Sequence, residues 1–334
     1  PMTLFVKEGR WMTTAARRYN RIVQVGTQGR SGTHFKEVIP LLRDGAVGRI
    51  HSVRFSSYRN IMPGFGRPVA SSPPPGLDYD MWLGPAPRRA YTPHRCLYHF
   101  RWFWDYSGGQ MTNLGAHDMD LVHWLLGVKG PKSVYSSGGR YALEDDGETP
   151  DTQDAIWEYP GFVVEASIRE ACSGRGRTAA GGLASSIAGV QLCGTKGILA
   201  VSRGGYQLIP DSKIVPESAI PAWSNPAGHP QAANTGPVPY GEPKQGRGAS
   251  PEPIDLHARH FLDCVKNRRR PNADVEDGHQ VAVACHLANL STKLGRKLNW
   301  DVEKEEIIGD REANAHLVRP YRKPWDDALR SFKL

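Results

Sequence analysis

The segment GGQMTNLGAHDMD, residues 108–120, sets Asn113, His117 and Asp120 at intervals of four and three. At roughly 100° per residue, a helix places all three on one stripe. Histidine is the usual proton acceptor near neutral pH, and a neighbouring carboxylate fixes its tautomer and raises its basicity. An Asn on the same face hydrogen-bonds a hydroxyl without carrying charge. The trio therefore suits removal of a proton from a polyol hydroxyl. A metal is the competing use, since His117 and Asp120 could share an ion, but a typical site needs a third and a fourth ligand. His94, His99, Asp105 and His123 are available without any signature spacing, so no metal is expected. The blandest use is a helix N-terminus with satisfied polar residues.

Two further stretches could line a site. In YHFRWFWDYSGG, residues 98–109, aromatics interleave with Arg101 and Asp105. Aromatic faces with a few charged hydrogen-bonding groups make a sugar-binding surface, although a plain core segment explains the aromatics equally well. In VGTQGRSG, residues 25–32, a strand pattern runs into Gly26, Gly29 and Gly32 and then a helix pattern. The spacing is GxxGxxG, whereas the dinucleotide fingerprint is GxGxxG with an acidic residue about 20 positions later. A tight turn presenting Gln28 and Arg30 at the end of a strand is the better reading, and such an end can still line a ligand crevice.

The elements that must position these groups follow from periodicity and punctuation. Thr3 is a plausible N-cap, with Phe5, Met12, Ala16 and Tyr19 forming an apolar face to about residue 20. RIVQVG, 21–26, reads as a short buried strand and THFKEVIPLLRDGAVG as a second helix. IHSVRFSSYR has strand character, 61–95 is a long Pro- and Gly-rich loop, and GGQMTNLGAHDMDLVHWLLG is one helix closed by Gly127, with Leu114, Leu121 and Leu125 as its apolar stripe. DTQDAIWEYP and FVVEASIREA alternate around Pro160-Gly161 as a hairpin; VQLCG, GILAVS and YQLIP add three short strands. A largely antiparallel sheet of about five or six strands results. Segment 211–253 reads as an irregular excursion. IDLHARHFLDCVKN and VEDGHQVAVACHLANLSTKLGR are amphipathic helices, and the end of the chain is polar and irregular.

The 334 residues, 39% hydrophobic with nine Trp and twelve Tyr, suffice for a sizeable core and for two domains. The net charge of +8 is spread along the chain, and its densest cluster, KNRRRP at 266–271, suits a helix C-terminus stopped by Pro271. No nucleic-acid motif accompanies it, and no nucleic-acid partner is expected. Five scattered cysteines without a CxxC pair indicate neither a disulfide framework nor a zinc ribbon, so a cytoplasmic location is expected. No apolar run approaches a membrane span, and the basic N-terminal segment, which contains Glu8, reads as a structural helix rather than a transit peptide.

The runs PMTLFVKEGRWMTTAARRYNRIVQVGTQGRSG, DMWLGPAP, FRWFWDYSGGQMTNLGAHDMDLVHW, GTKGILAVSRGGY and HARHFLDCVKNRRRPNADVEDGHQVAVACHLANLSTKLGRKLNW occur in the order seen in one family. Over nearly its whole length the chain resembles the Gfo/Idh/MocA oxidoreductases, of the glucose–fructose oxidoreductase and inositol dehydrogenase type. The resemblance implies an α/β (α+β) chain. Residues 1–48 would be the C-terminal remnant of a Rossmann domain, 49–310 a substrate and oligomerisation domain with a large open, mainly antiparallel sheet, and 311–334 a polar tail. It implies NAD or NADP as cofactor, a sugar or polyol substrate oxidised at a CH–OH group, and a homo-oligomer built through the open sheet. It gives His117 as the general acid/base, Asn113 at the position where many members carry Asp, and Asp120 as support for helix and histidine. Gln28 and Arg30 would lie near the nicotinamide, Trp82 would close over the cofactor side, and Arg101 and Asp105 would bind substrate. In the family the motif E-K-P supplies a catalytic lysine, and Pro1 takes the place of that proline. The sequence would then be a fragment of a longer enzyme, the product of a late gene start, or a protein that has dispensed with its cofactor. A non-redox glycosidase or lyase on the same scaffold and a cofactor-free sugar-binding or oligomerisation module are the alternatives.

Overall fold

A computed structural model of the chain describes residues 2–173, 189–213, 238–249 and 253–327. Its centre is a ten-stranded sheet. The strands are β1 (Ile50–Tyr58), β2 (Ser133–Gly139), β3 (Thr152–Tyr159), β4 (Phe162–Arg169), β5 (Val190–Gly194), β6 (Gly197–Ser202), β7 (Gly205–Pro210), β10 (Lys244–Arg247), β11 (Leu298–Asp301) and β12 (Glu306–Ile307). Their spatial order is β10-β7-β6-β5-β1-β4-β3-β2-β11-β12, while β8 (Ser212–Lys213) and β9 (Val238–Pro239) form a separate pair. Every neighbouring pair of the large sheet is antiparallel except β1 with β4.

Period-2 alternation fixes the faces of the sheet. One row runs across eight strands through Leu298, Val134, Trp157, Val164, Val53, Leu192, Leu199 and Leu208, all buried. The adjacent row on the other face runs through Tyr135, Ile156, Glu165, Arg54 and Gln191, and of these Tyr135, Ile156 and Arg54 are exposed. The buried face carries the helices. These are α1 (Val6–Arg18), α2 (Phe35–Arg43), the short α3 (Tyr79–Leu83) and α4 (Gly109–Thr112), α5 (Leu114–Leu126), α6 (Ile254–Asn267), α7 (Val275–Leu294) and α8 (Arg311–Ala315). Helix α7 lies between α1, α5 and β2, so it is buried nearly all round rather than amphipathic.

The hairpins, the second helix and the Gly127 cap stand where the sequence predicts them; Gly127 is left-handed at φ 64°. Elsewhere the structure differs. Helix α1 begins after Phe5, and its end is capped by Glu8, whose carboxylate accepts from the Leu4 and Phe5 N–H groups, not by Thr3. Its buried face is Val6, Gly9, Thr13 and Ala16, leaving Met12 and Tyr19 exposed. Small residues win that face because α7 packs closely there.

The segment 21–26 makes one isolated bridge, Gln24 with Asp274, and the Val25 N–H donates to Ala273 O. No strand lies beside it among the described residues, so it is extended but neither part of a sheet nor buried. The sheet has more strands than the sequence suggests because β2 precedes the hairpin within it and β1, β10, β11 and β12 join it from distant parts of the chain. Residues 214–237 and 250–252 of the expected excursion lie outside the described residues, but β10 within that segment pairs with β7. Near the end of the chain, α8 and the residues after it bury Ala313 and Leu317, and Leu317 O accepts from the Lys7 N–H.

Candidate functional site

The run 108–127 is two helices rather than one. The backbone breaks at Asn113 (φ −93°, ψ −91°), between α4 and α5. The cause is upstream: Gly109 is left-handed at φ 69°, and a Cβ there would lie 2.7 Å from Thr149, a conformation and a contact that only glycine accepts. Gly108 is fixed through its carbonyl, which accepts from Asn289 Nδ2 at 2.7 Å. Asn113 therefore sits at a corner, its Nδ2 donating to Gln110 Oε1 at 2.9 Å, off the helical stripe that the spacing implies.

The corner separates two clefts. Asn113 lines the first, of about 490 Å³, together with Arg101, Tyr106, Ser107, Glu8 and Arg319. His117 and Asp120 line the second, of about 280 Å³, with Thr27 and Gly29 on one wall and Ser202, Arg203 and Gly204 of the β6–β7 turn on another. The structure thus brings His117 and Asp120 together, joins Asn113 to Arg101, and puts the helix corner between the pairs.

Asp120 is committed to Arg30. The Arg30 Nε donates to both Asp120 oxygens, at 3.0 and 2.9 Å, and Nη1 donates to Asn272 O at 2.7 Å. Asp277 stands 3.2 Å from Nη1, and the guanidinium lies over the Trp124 ring. The Arg30 and Asp120 side chains are only 4% and 1% exposed, so the pair is a buried brace between the turn at 28–31, α5 and α7. The Arg30 and Gly32 N–H groups donate to Thr27 O and Gly29 O inside that turn. These two amides are therefore used within the turn itself. Gln28 stands half-buried at the head of the turn.

The remaining expected residues gather near the first cleft. Trp82, on α3, stacks on Tyr79 and meets Tyr106 edge-on at a centroid distance of 5.0 Å. The Arg101 guanidinium lies 4.1 Å over the Tyr98 ring. Asp105 accepts from Arg89 Nε at 2.7 Å, and its carbonyl accepts from Arg319 Nη1. The other histidines are engaged elsewhere: His123 Nε2 pairs with Tyr159 Oη at 2.7 Å, and His94 and His99 pack on Phe65. Among the described residues no three His, Cys, Asp or Glu side chains gather as a metal site would require.

Sequence reasoning missed Asp118, which lines the same cleft as His117. Burial pushes its carboxyl up to about 7, with Arg203 pulling the other way. Asp118 is off the four-and-three spacing, and Arg203 comes from a hairpin turn whose approach to α5 is not local, so neither gave a periodic signal.

Residues 59–137 and 244–327 match the model of the C-terminal alpha/beta domain of an oxidoreductase family, GFO_IDH_MocA_C2. No curated protein matches the sequence. Among solved structures, the chain is similar to the WlbA dehydrogenase from Bordetella pertussis in complex with NADH and UDP-GlcNAcA, with a TM-score of 0.54 and 17% identity over 90% of this chain and 70% of that one. An aldose-aldose oxidoreductase from Caulobacter crescentus complexed with glycerol gives the same TM-score, identity and coverage. Levoglucosan dehydrogenase in complex with NADH and levoglucosan gives a TM-score of 0.58 and 12% identity over 89% of this chain and 71% of that one. At these identities the likeness is one of fold. Residues 59–137 and 244–327 therefore belong to the C-terminal α/β domain of the Gfo/Idh/MocA oxidoreductase family.

Proposed function

We propose that the chain carries the substrate-binding and proton-transfer side of an NAD(P)-dependent oxidoreductase acting on a CH–OH group of a sugar, sugar derivative or cyclitol. The observation that carries this reading is His117, on the first turns of α5, in a cleft walled by the 27–30 turn and one helical turn from the Asn113 and Arg101 cleft. His117 accepts the hydroxyl proton. Asn113 and Arg101 hydrogen-bond neighbouring hydroxyls, Tyr106 gives a wall a sugar ring packs on, Trp82 stands edge-on to Tyr106 and closes over the cofactor side, and Asp120 holds the Arg30 turn against the helix. Thr27 and Gly29 of the turn that carries Gln28 and Arg30 form the wall on the nicotinamide side, with Arg30 braced behind them. The chemistry attributed to the described residues is orientation and proton transfer. The hydride acceptor, when bound, supplies the redox step. A homo-oligomer through the exposed sheet face completes the reading.

The test is nicotinamide reduction by the purified chain over a panel of sugars and cyclitols with NAD+ or NADP+. Alongside it, polyol binding is followed by titration calorimetry. His117→Ala should lower any turnover by about 10²–10⁴-fold while weakening polyol binding far less. Sugar consumption without nicotinamide reduction would replace the redox reading with a non-redox one, and a chain that neither binds nor turns over any member of the panel would remove the site.

A further inference from the structure

Two arginines line the first cleft, and what already surrounds them decides what they can take. Arg101 comes from the short helical turn at His99–Trp102 and Arg319 from the segment after α8. Both are half-buried. The Arg101 guanidinium lies 4.1 Å over the Tyr98 ring and 5.5 Å over the Phe100 ring. That of Arg319 lies 5.3 Å over Phe5 and 5.6 Å over Tyr321, and its Nη1 donates to the Asp105 carbonyl at 2.8 Å. Its Nε is buried without an acceptor among the described residues. Ring faces and a peptide carbonyl fix the position of these heads, yet carry no net charge to offset theirs.

The carboxylates at the cleft are engaged with other donors. Glu8 Oε2 accepts from the Leu4 and Phe5 N–H groups and Oε1 from Tyr321 Oη at 2.5 Å. Asp105 Oδ2 accepts from Arg89 Nε at 2.7 Å. Two guanidiniums against the single carboxylate of Glu8 leave the lining positive. We propose that Arg101 and Arg319 form an oxyanion subsite of the first cleft, which takes the carboxylate of a sugar acid or the phosphate of a sugar ester. This assignment rests on the sugar reading of the two clefts and narrows its substrate class: Arg101 meets the acid group of the substrate. The planar fork of a guanidinium matches both oxyanions, and such charge-assisted bonds are about twice as strong as those to a hydroxyl.

Calorimetric titration of the full chain with D-glucose, D-galactose and D-mannose, each beside its 6-carboxylate and its 6-phosphate, tests the subsite. An acidic form should bind about tenfold to a hundredfold more tightly than its neutral parent, and the larger gain identifies the carboxylate or the phosphate as the group taken. That gain should shrink between about 0.05 M and about 0.5 M salt, while the neutral hexose is unaffected. Arg101→Gln and Arg319→Gln should each cut the ratio of acid to parent affinity, and the double variant should abolish it. Arg319→Lys, which keeps the charge, should retain the salt-dependent part of the gain, and it decides the matter with Arg101→Gln if Arg319→Gln does not fold. Acids that bind no better than their parent hexoses, or a gain that survives in the double variant, would overturn the subsite and leave the sugar reading standing. If no hexose or acid binds, both fall.

Discussion

At the scale of single residues, the site is organised by which carboxylates are already used. Asp120 and Asp118 are two apart on α5, yet Arg30 takes both oxygens of the first and leaves the second to the cleft. The pair can be tested as a brace. Asp120→Ala strands a guanidinium that is 4% exposed, leaving Asn272 O and the half-exposed Asp277 as its polar partners among the described residues. Urea denaturation should show a loss of about 3 kcal/mol. The double variant Arg30→Met with Asp120→Leu should lose much less, because it buries no orphaned charge. A loss within about 0.5 kcal/mol for Asp120→Ala alone would mean that the pair is not the brace described. The residue types of this site were legible in the sequence. His117 and Asp120 do share a cleft, but the commitment of Asp120 to Arg30 depends on a contact between positions far apart in the chain, which no spacing records.

At the scale of elements, close packing overrides local preference twice. The α4–α5 break shows it first: apolar periodicity through 108–127 reads as one helix, but Gly109 against Thr149 turns the chain and moves Asn113 off the stripe. Helix α1 shows it again. A Cβ on Gly9 would collide with the ring of His279 on α7, a histidine that is fully buried and bonded to Glu305 at 2.7 Å. In an open helix, Gly→Ala gains up to about 1 kcal/mol. Here Gly9→Ala should cost about 1–3 kcal/mol instead, seen as a lower midpoint of thermal unfolding. A stabilised variant would show that α1 and α7 are not packed at this point. The sequence marks α1 as a helix but orients it wrongly, because Met12 and Tyr19 are apolar and glycine carries no hydrophobic signal. The contact with α7 decides the face.

At the scale of the whole molecule, the ten-stranded sheet is covered by helices on one face and presents Tyr135 and Ile156 side by side on the other, 49% and 48% exposed. The rest of that row is mostly polar, so the apolar end is where a second copy would gain most by packing. Sedimentation of the purified chain should give a dimer or larger species, and Ile156→Lys should shift it towards monomer without changing its circular dichroism. A wild-type monomer at micromolar concentration would remove the proposed assembly. Strand patterns made the sheet and its hairpins readable, but not its order, which depends on pairings across long stretches of chain.

That order carries a cost in time. Strand β1 sits inside the sheet, with Val53 paired to Val164 on one side and Leu192 on the other. When the chain emerges from the ribosome, β1 is made well before either neighbour. The hairpin β3–β4 closes by itself, but β1 must wait with both edges bare until β4 follows and with one edge bare until β5 does. Such non-local pairing is slow and exposes strand edges to other chains. Nascent molecules of this protein should therefore be at their most aggregation-prone between the synthesis of β1 and that of β5, and it is during this interval that a chaperone covering IHSVRFSSY would raise the yield of folded protein most.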